Sequence, residues 1–148
     1  MSAKNGLYEF FEIKGGDFGN AGSISTKIKE ILQEIGIDHS IIRRAAIAAY
    51  EAEMNVVMYA SRGEFHLNLT PKKLHFRLED TGPGIEDVDL AMQEGYSTAT
   101  EEMREMGFGA GMGLPNIKKN ADCFNISSVP GEGTTLDISF DLDQMEKK

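Results

Sequence analysis

Glu51 and Asn55 stand four residues apart in a stretch of helical periodicity, so their side chains share one helix face a turn apart. An asparagine amide oxygen is a hard ligand of the kind Mg²⁺ accepts, and that ion keeps waters and takes phosphate oxygens besides. A carboxylate beside it can orient or deprotonate a water or a hydroxyl. The same pair could instead lie on a solvated helix face, although Ala52, Val56 and Val57 place Asn55 near a core boundary. Glu53 falls elsewhere on the helical wheel and reads as solvated.

Asp80 closes a strand-like run, Phe76-Arg-Leu-Glu, and begins Asp80-Thr-Gly82-Pro-Gly84. Glycines there let the backbone turn sharply and let a flat ring approach, and the carboxylate can accept from the exocyclic amine of adenine. An ordinary Asp-Xaa-Gly turn reads the same way. Gly109-Ala-Gly111-Met-Gly113 precedes Leu114-Pro115 and a helix. Successive small residues can curl N–H groups around an anion, and a helix N-terminus adds its positive dipole end. A flexible hinge is the alternative. No Gly-Lys-Ser/Thr follows, so this is no Walker loop, and its position and spacing are not those of a Rossmann fingerprint. Thr134 and Thr135 follow Gly133 into the last strand. A hydroxyl there could support a base, or both could be β-branched residues favoured in a strand.

The elements that must position these groups are legible from periodicity. Leu7–Ile13 reads as a strand, followed by a glycine-rich loop through Gly22. Ser23 or Ser25 caps a helix with Ile24, Ile28, Ile31, Leu32 and Ile35 on one face, and Gly36 stops it. Asp38 caps a second helix whose face runs Ile41, Ile42, Ala45, Ala48, Ala49, Ala52, Val56, Tyr59; Arg62-Gly63 ends it. Phe65–Leu69 and Leu74–Leu78 form a hairpin about Pro71-Lys72. Residues 86–108 are acidic and methionine-rich, and hold either a short helix or a functional lid. Leu114–Ala121 is a helix, Phe124–Ser128 a strand, Pro130–Gly133 a tight turn and Thr134–Leu142 the last strand. These predict an α+β two-layer sandwich, its mixed, mostly antiparallel sheet carrying helices on one face, with residues 1–148 forming a single domain.

Bulk properties narrow the function classes. Net charge is −9, from 15 Lys+Arg against 24 Asp+Glu, which disfavours a nucleic-acid partner. Cys123 is the single cysteine, so no disulfide forms within the chain, and a reducing cytoplasm is expected. It reads as a small core residue rather than a reactive thiol. No signal peptide is recognisable, and no apolar run reaches the roughly 18 residues a membrane span needs. His39, His66 and His75 have no partner at ligand spacing, so a metal-binding histidine is not expected.

In order and spacing, Glu51…Asn55, Asp80-Thr-Gly-Pro-Gly84, Gly109-Ala-Gly-Met-Gly113 and Gly133-Thr134 resemble the N, G1 and G2 boxes and closing threonine of the GHKL (Bergerat-fold) ATPases. The resemblance covers about residues 40–140. Within that superfamily, Ala91-Met-Gln-Glu-Gly-Tyr-Ser-Thr98, Gly113-Leu-Pro-Asn-Ile-Lys-Lys119 and Tyr59-Ala-Ser-Arg-Gly63 resemble the bacterial anti-sigma-factor serine/threonine kinases of the stressosome switch type. The resemblance implies the Bergerat fold, ATP and Mg²⁺ as cofactors, and an ATP lid at about 86–108. It implies that Asn55 holds Mg²⁺ and that Glu51 is the general base toward a partner's Ser or Thr. Asp80 would bind adenine, with Gly82, Gly84 and Ile85 shaping its pocket. Gly109, Gly111, Met112, Gly113 and Leu114 would surround the phosphates, and Thr134 or Thr135 would support the base. It implies a protein partner, a STAS-domain antagonist or sigma-factor-like regulator, with a homodimer possible; the lack of a long apolar run adds the expectation of no membrane. The alternative is an ATP-dependent interaction switch without transfer. Two features depart from the pattern: the lid between Thr98 and Gly107 is longer and more acidic, and Tyr50 stands where a small polar residue is usual. Arg104 in that lid either approaches the γ-phosphate or pairs with a neighbouring glutamate.

Overall fold

A computed structural model describes residues 6–84, 88–93 and 113–142. Five strands, β1 (Leu7–Lys14), β2 (Arg62–Leu69), β3 (Lys73–Thr81), β4 (Cys123–Val129) and β5 (Gly133–Asp141), form one sheet in the order β1-β2-β3-β5-β4. All four pairings are antiparallel. The helices are α1 (Ser23–Ile35), α2 (His39–Tyr59), the single turn α3 (Val88–Ala91) and α4 (Gly113–Asn120). The expected two-layer sandwich is therefore present, with α1, α2 and α4 gathered over one face of the sheet.

Strand alternation supplies that face. Phe65, Leu67, Leu74, Phe76, Leu78, Leu136, Ile138 and Phe140 point inward and are buried. Phe65, Phe76 and Phe140 contact each other across β2, β3 and β5, with centroids 5.1 and 5.6 Å apart. Above them α2 is the central helix. Ala45, Ala48, Ala49 and Ala52 lose all solvent exposure, and their small size lets α1 and α4 pack closely on its flanks. α1 contributes the fully buried Ile28 and Leu32 and ends where Gly36, at φ +94°, returns its N–H to Leu32 and Gln33 carbonyls.

Three expectations change. Ser23 and Ser25 do not cap α1: the N-cap is Gly22, and no side chain of its own segment bonds the first turn from that position. Arg62-Gly63 does not end α2. The helix stops at Tyr59, and Arg62 already pairs with Thr81 in the sheet, because strand pairing extends past the local turn signal. Cys123 is exposed, not a core residue. Its neighbours Phe124 and Ile126 pack partly buried against the core, so the two-residue alternation of β4 turns Cys123 outward.

Candidate functional site

The strand order carries the site. Because β5 lies between β3 and β4, the end of β3 meets the start of β5, and Asp80 pairs directly with Thr134. The Thr134 N–H donates to Asp80 Oδ1 at 3.2 Å. Thr134 is buried and its hydroxyl bonds the Ser128 hydroxyl at 2.9 Å. Thr135 pairs with Glu79 instead, on the opposite face, so the structure does not bring it to Asp80. Burial lifts the Asp80 carboxyl above its ordinary value, and the Thr134 N–H works in the other direction.

A side chain on either of the two glycines after Asp80 would crowd its neighbours, most severely at Gly84. A Cβ on Gly82 would lie 3.0 Å from Ala60 Cα and 3.3 Å from Asp80 Oδ1. Gly84 has φ +75°, and a Cβ there would meet the Val129 carbonyl oxygen at 2.5 Å. The Gly131 N–H donates to the Pro83 carbonyl at 2.7 Å, stitching this loop to the β4–β5 turn. On the other side, Ser61 ties the end of α2 to β3 through its N–H to the Thr81 carbonyl, 2.9 Å. Thus the C-terminal half of α2, which bears Glu51 and Asn55, leads toward the end of β3, which bears Asp80.

Glu51 and Asn55 converge on the start of α4. A Cβ on Gly113 would lie 3.4 Å from Glu51 Oε1 and 3.8 Å from Asn55 Oδ1. Both oxygens therefore face one point beside a helix N-terminus that carries no side chain there. Glu51 Oε2 accepts from Asn116 Nδ2 at 3.2 Å. Leu114, next to Gly113, is buried against the core. At the far end of α4, Arg44 of α2 donates to the Asn120 carbonyl at 2.9 Å and pairs with Asp122 at 3.3 Å. The expected site residues Ile85, Gly109, Gly111 and Met112, and with them Arg104 and residues 86–87 and 94–108 of the expected lid, lie outside the described residues. The single turn α3 supplies the short helix allowed within residues 86–108.

Two groups missed by sequence reasoning stand out. Asn116 falls within the Gly113–Lys119 stretch, but only the packing of α4 on α2 brings it to Glu51. Glu53, read as solvated, is 2% exposed. Its Oε2 accepts from the Gly22 and Ile24 N–H groups, at 3.1 and 3.4 Å, and its Oε1 from Ser25 N–H at 3.1 Å. It caps α1 from α2, replacing the side-chain cap that Gly22 cannot provide. Burial raises its carboxyl above the ordinary range, while the three N–H donors pull it down. Tyr50 is also turned from the Glu51 stripe: it lines a depression at the start of α1, with Gly19, Lys27 and Glu30.

The histidines have neighbours the sequence did not reveal. Glu64 pairs with Glu79 across β2 and β3, and with His66 they bring three donor atoms within 4.8 Å of one another. These carboxylates already meet arginines: Arg62 lies 3.3 Å from Glu64, and Arg77 Nε 2.9 Å from Glu79. His66 Nδ1 is bonded to the Tyr8 hydroxyl at 2.5 Å, and His75 Nε2 to Asp137 at 3.0 Å. This is an ion-pair patch on the outer face of the sheet, opposite the helices.

A helix start bare of side chain at Gly113, the facing oxygens of Glu51 and Asn55, and a half-buried strand-end aspartate lie on one side of the fold in the order of the sequence blocks. The chain belongs to the family of histidine kinase-, DNA gyrase B- and HSP90-like ATPases, whose model matches residues 25–144. It is 32% identical over 112 residues to the serine/threonine-protein kinase RsbT of Bacillus subtilis (strain 168), covering 73% of this chain and 78% of that protein. It is 31% identical over 116 residues to the anti-sigma F factor of Caldanaerobacter subterraneus subsp. tengcongensis, covering 78% and 73%. A second anti-sigma F factor, from Anoxybacillus flavithermus, is 30% identical over 113 residues, 76% of this chain and 66% of the relative. The family places ATP binding in this fold. Among the described residues no helix is long and apolar enough to cross a membrane.

Proposed function

We propose that the chain is a serine/threonine protein kinase that transfers the γ-phosphoryl group of Mg-ATP to a hydroxyl of a regulatory protein partner. The observation that carries it is the convergence of Glu51 Oε1 and Asn55 Oδ1 on Gly113, beside the helix start that follows the glycine block. The similarity to a protein named serine/threonine-protein kinase supports the reaction class.

The residues fit a magnesium ion. Two hard oxygen donors of an amide and a carboxylate face a space that any side chain at position 113 would fill. Asn55 Oδ1 would hold the ion, which would supply positive charge to neutralise the phosphates. Asp80, its Oδ1 held by Thr134, would take the adenine amine with its carboxylate. Gly113 and the start of α4, with Leu114 behind them, would receive the phosphates along with Gly109, Gly111 and Met112. In the transfer a new bond forms from the acceptor oxygen to the γ-phosphorus. The bond from that phosphorus to the β–γ bridging oxygen breaks, ADP leaves, and the acceptor proton passes to Glu51. A STAS-domain antagonist or a sigma-like regulator is the partner class of this reading, and the cytoplasm its compartment, in keeping with a lone cysteine.

The test is incubation of γ-labelled ATP with proteins that co-purify with the chain. Wild type labels an acceptor on Ser or Thr, and Glu51→Gln binds Mg-ATP as before while labelling falls by about two orders of magnitude or more. Unchanged labelling with Glu51→Gln refutes the role of the base. A pure binding switch, favoured by the anti-sigma F names of relatives, predicts no labelled acceptor and a partner retained only with ATP.

A further inference from the structure

The carboxylate proposed as base has its second oxygen taken by a residue that neither the family boxes nor the glycine block includes. Asn116 lies three residues beyond Gly113 on α4, hence on the same side of that helix. Its Nδ2–H donates to Glu51 Oε2 at 3.2 Å, while Glu51 Oε1 faces Gly113. Asn116 is itself set in place. Its backbone carbonyl accepts from Asn120 Nδ2 at 2.8 Å, and the Asn120 carbonyl is held by Arg44 of α2 at 2.9 Å. The C-terminal end of α4 is therefore fastened to α2 through Arg44, and a residue midway along the helix presents an amide to the base.

A glutamate has several rotatable bonds, and a base serves only when its lone pair points at the departing proton. A positional error of about 1 Å can cost about a hundredfold in rate. An amide donor on one carboxylate oxygen removes that freedom and leaves the other oxygen aimed. We infer that Asn116 is the positioning residue of Glu51: it orients the carboxylate toward the phosphate end of the site and makes this orientation depend on α4 lying against α2. The inference rests on the reading of Glu51 as the base. It goes further in that Gly113 and the orienting amide ride on one helix. Whatever moves the start of α4 also re-aims the base.

The experiment measures steady-state turnover of Mg-ATP by the full chain with water as acceptor. Affinity for Mg-ATP is measured separately by titration. Asn116→Ala is expected to lower kcat about tenfold to a hundredfold, with KM and Kd for Mg-ATP within about twofold of wild type. Asn116→Asp keeps the shape but offers an acceptor to an acceptor, and is expected to be at least as slow. Asn116→Gln restores an N–H donor and is expected to recover most of the lost kcat. In the Glu51→Gln background, Asn116→Ala is expected to cost nothing further, because the group it orients is gone. A merely structural asparagine would instead lower turnover by the same factor in both backgrounds, and that result overturns the inference. So does wild-type kcat in Asn116→Ala with Glu51→Gln inactive, which leaves the base reading standing. Wild-type turnover no faster than Glu51→Gln removes the base reading and this inference with it.

Discussion

Asp80→Asn separates the nucleotide role of this residue from any role in the fold. In the structure Asp80 Oδ1 accepts the Thr134 N–H at 3.2 Å, and burial disfavours the charged form. An asparagine of the same shape can accept that N–H with its amide oxygen, so apo stability at neutral pH should hold or rise slightly. Its NH₂ then occupies the place of Oδ2 and meets the adenine amine donor to donor. The loss comprises a hydrogen bond to a charged acceptor, about 1.5–3 kcal/mol, and a donor left unmet, about 1–3 kcal/mol. Together these are about 3–5 kcal/mol, roughly two to four orders of magnitude in Kd for Mg-ATP. Isothermal titration with Mg-ATP measures it, and thermal unfolding without nucleotide reports the fold. The pH dependence has a definite sign. The folded-state pKa of Asp80 is raised above its ordinary value of 3.8, so between the two values the folded chain binds more protons than the unfolded one. Its contribution to stability is therefore present below 3.8 and is lost as pH rises through the folded pKa. Wild type should gain on Asp80→Asn as the solution is acidified across that window. A folded Asp80→Asn protein with wild-type affinity for Mg-ATP would refute the assignment.

Gly113→Ala should leave the fold intact, because its Cβ would meet Glu51 and Asn55 oxygens at contact distances of 3.4 and 3.8 Å. It should stabilise α4 by up to about 1 kcal/mol. The same methyl fills the space the two oxygens face, so Mg-ATP affinity should fall by about tenfold or more; undiminished affinity in titration would show that phosphates and metal bind elsewhere. Glu53→Ala removes the acceptor of three N–H groups at the start of α1, and at about 1–3 kcal/mol for each buried donor, with water relieving part, stability should drop by about 3–5 kcal/mol. Thermal unfolding should show a Tm lower by roughly 10 °C or more; a loss under 1 kcal/mol would mean that α1 is held by packing alone.

The chemistry-bearing blocks are legible because they are local. Glu51 and Asn55 need only helical spacing to share a face, and Asp80 with its glycines needs only a strand end. The elements are legible for the same reason: the apolar periods of Ile24–Ile35 and Ile41–Val56 mark helices, and the alternation around Phe65 and Phe76 marks strands. Reading fails where a partner is far along the chain. Glu53 is polar and looks solvated on a wheel, but its three donors lie 28 to 31 residues earlier on another helix. Asn116 looks like an ordinary helix residue until α4 docks on α2, 65 positions from Glu51. Between Thr134 and Thr135 composition cannot choose. The antiparallel register does, because pairing Asp80 with Thr134 sends the next residue to the other face of the sheet. Cys123 shows the same limit: its type suits a core, and the inward turn of Phe124 and Ile126 exposes it.

Residue types and short spacings thus determined which groups could hold a nucleotide and in what order they occur, since helix and strand periods are properties of a few consecutive residues. Tertiary structure alone decided which of them meet. Placing β5 between β3 and β4 brings Thr134 to Asp80, and fastening α4 across the alanines of α2 brings Gly113 and Asn116 to Glu51. Those contacts arise from burying one apolar face of each element in a common core, a requirement of the whole chain that no local window of sequence contains.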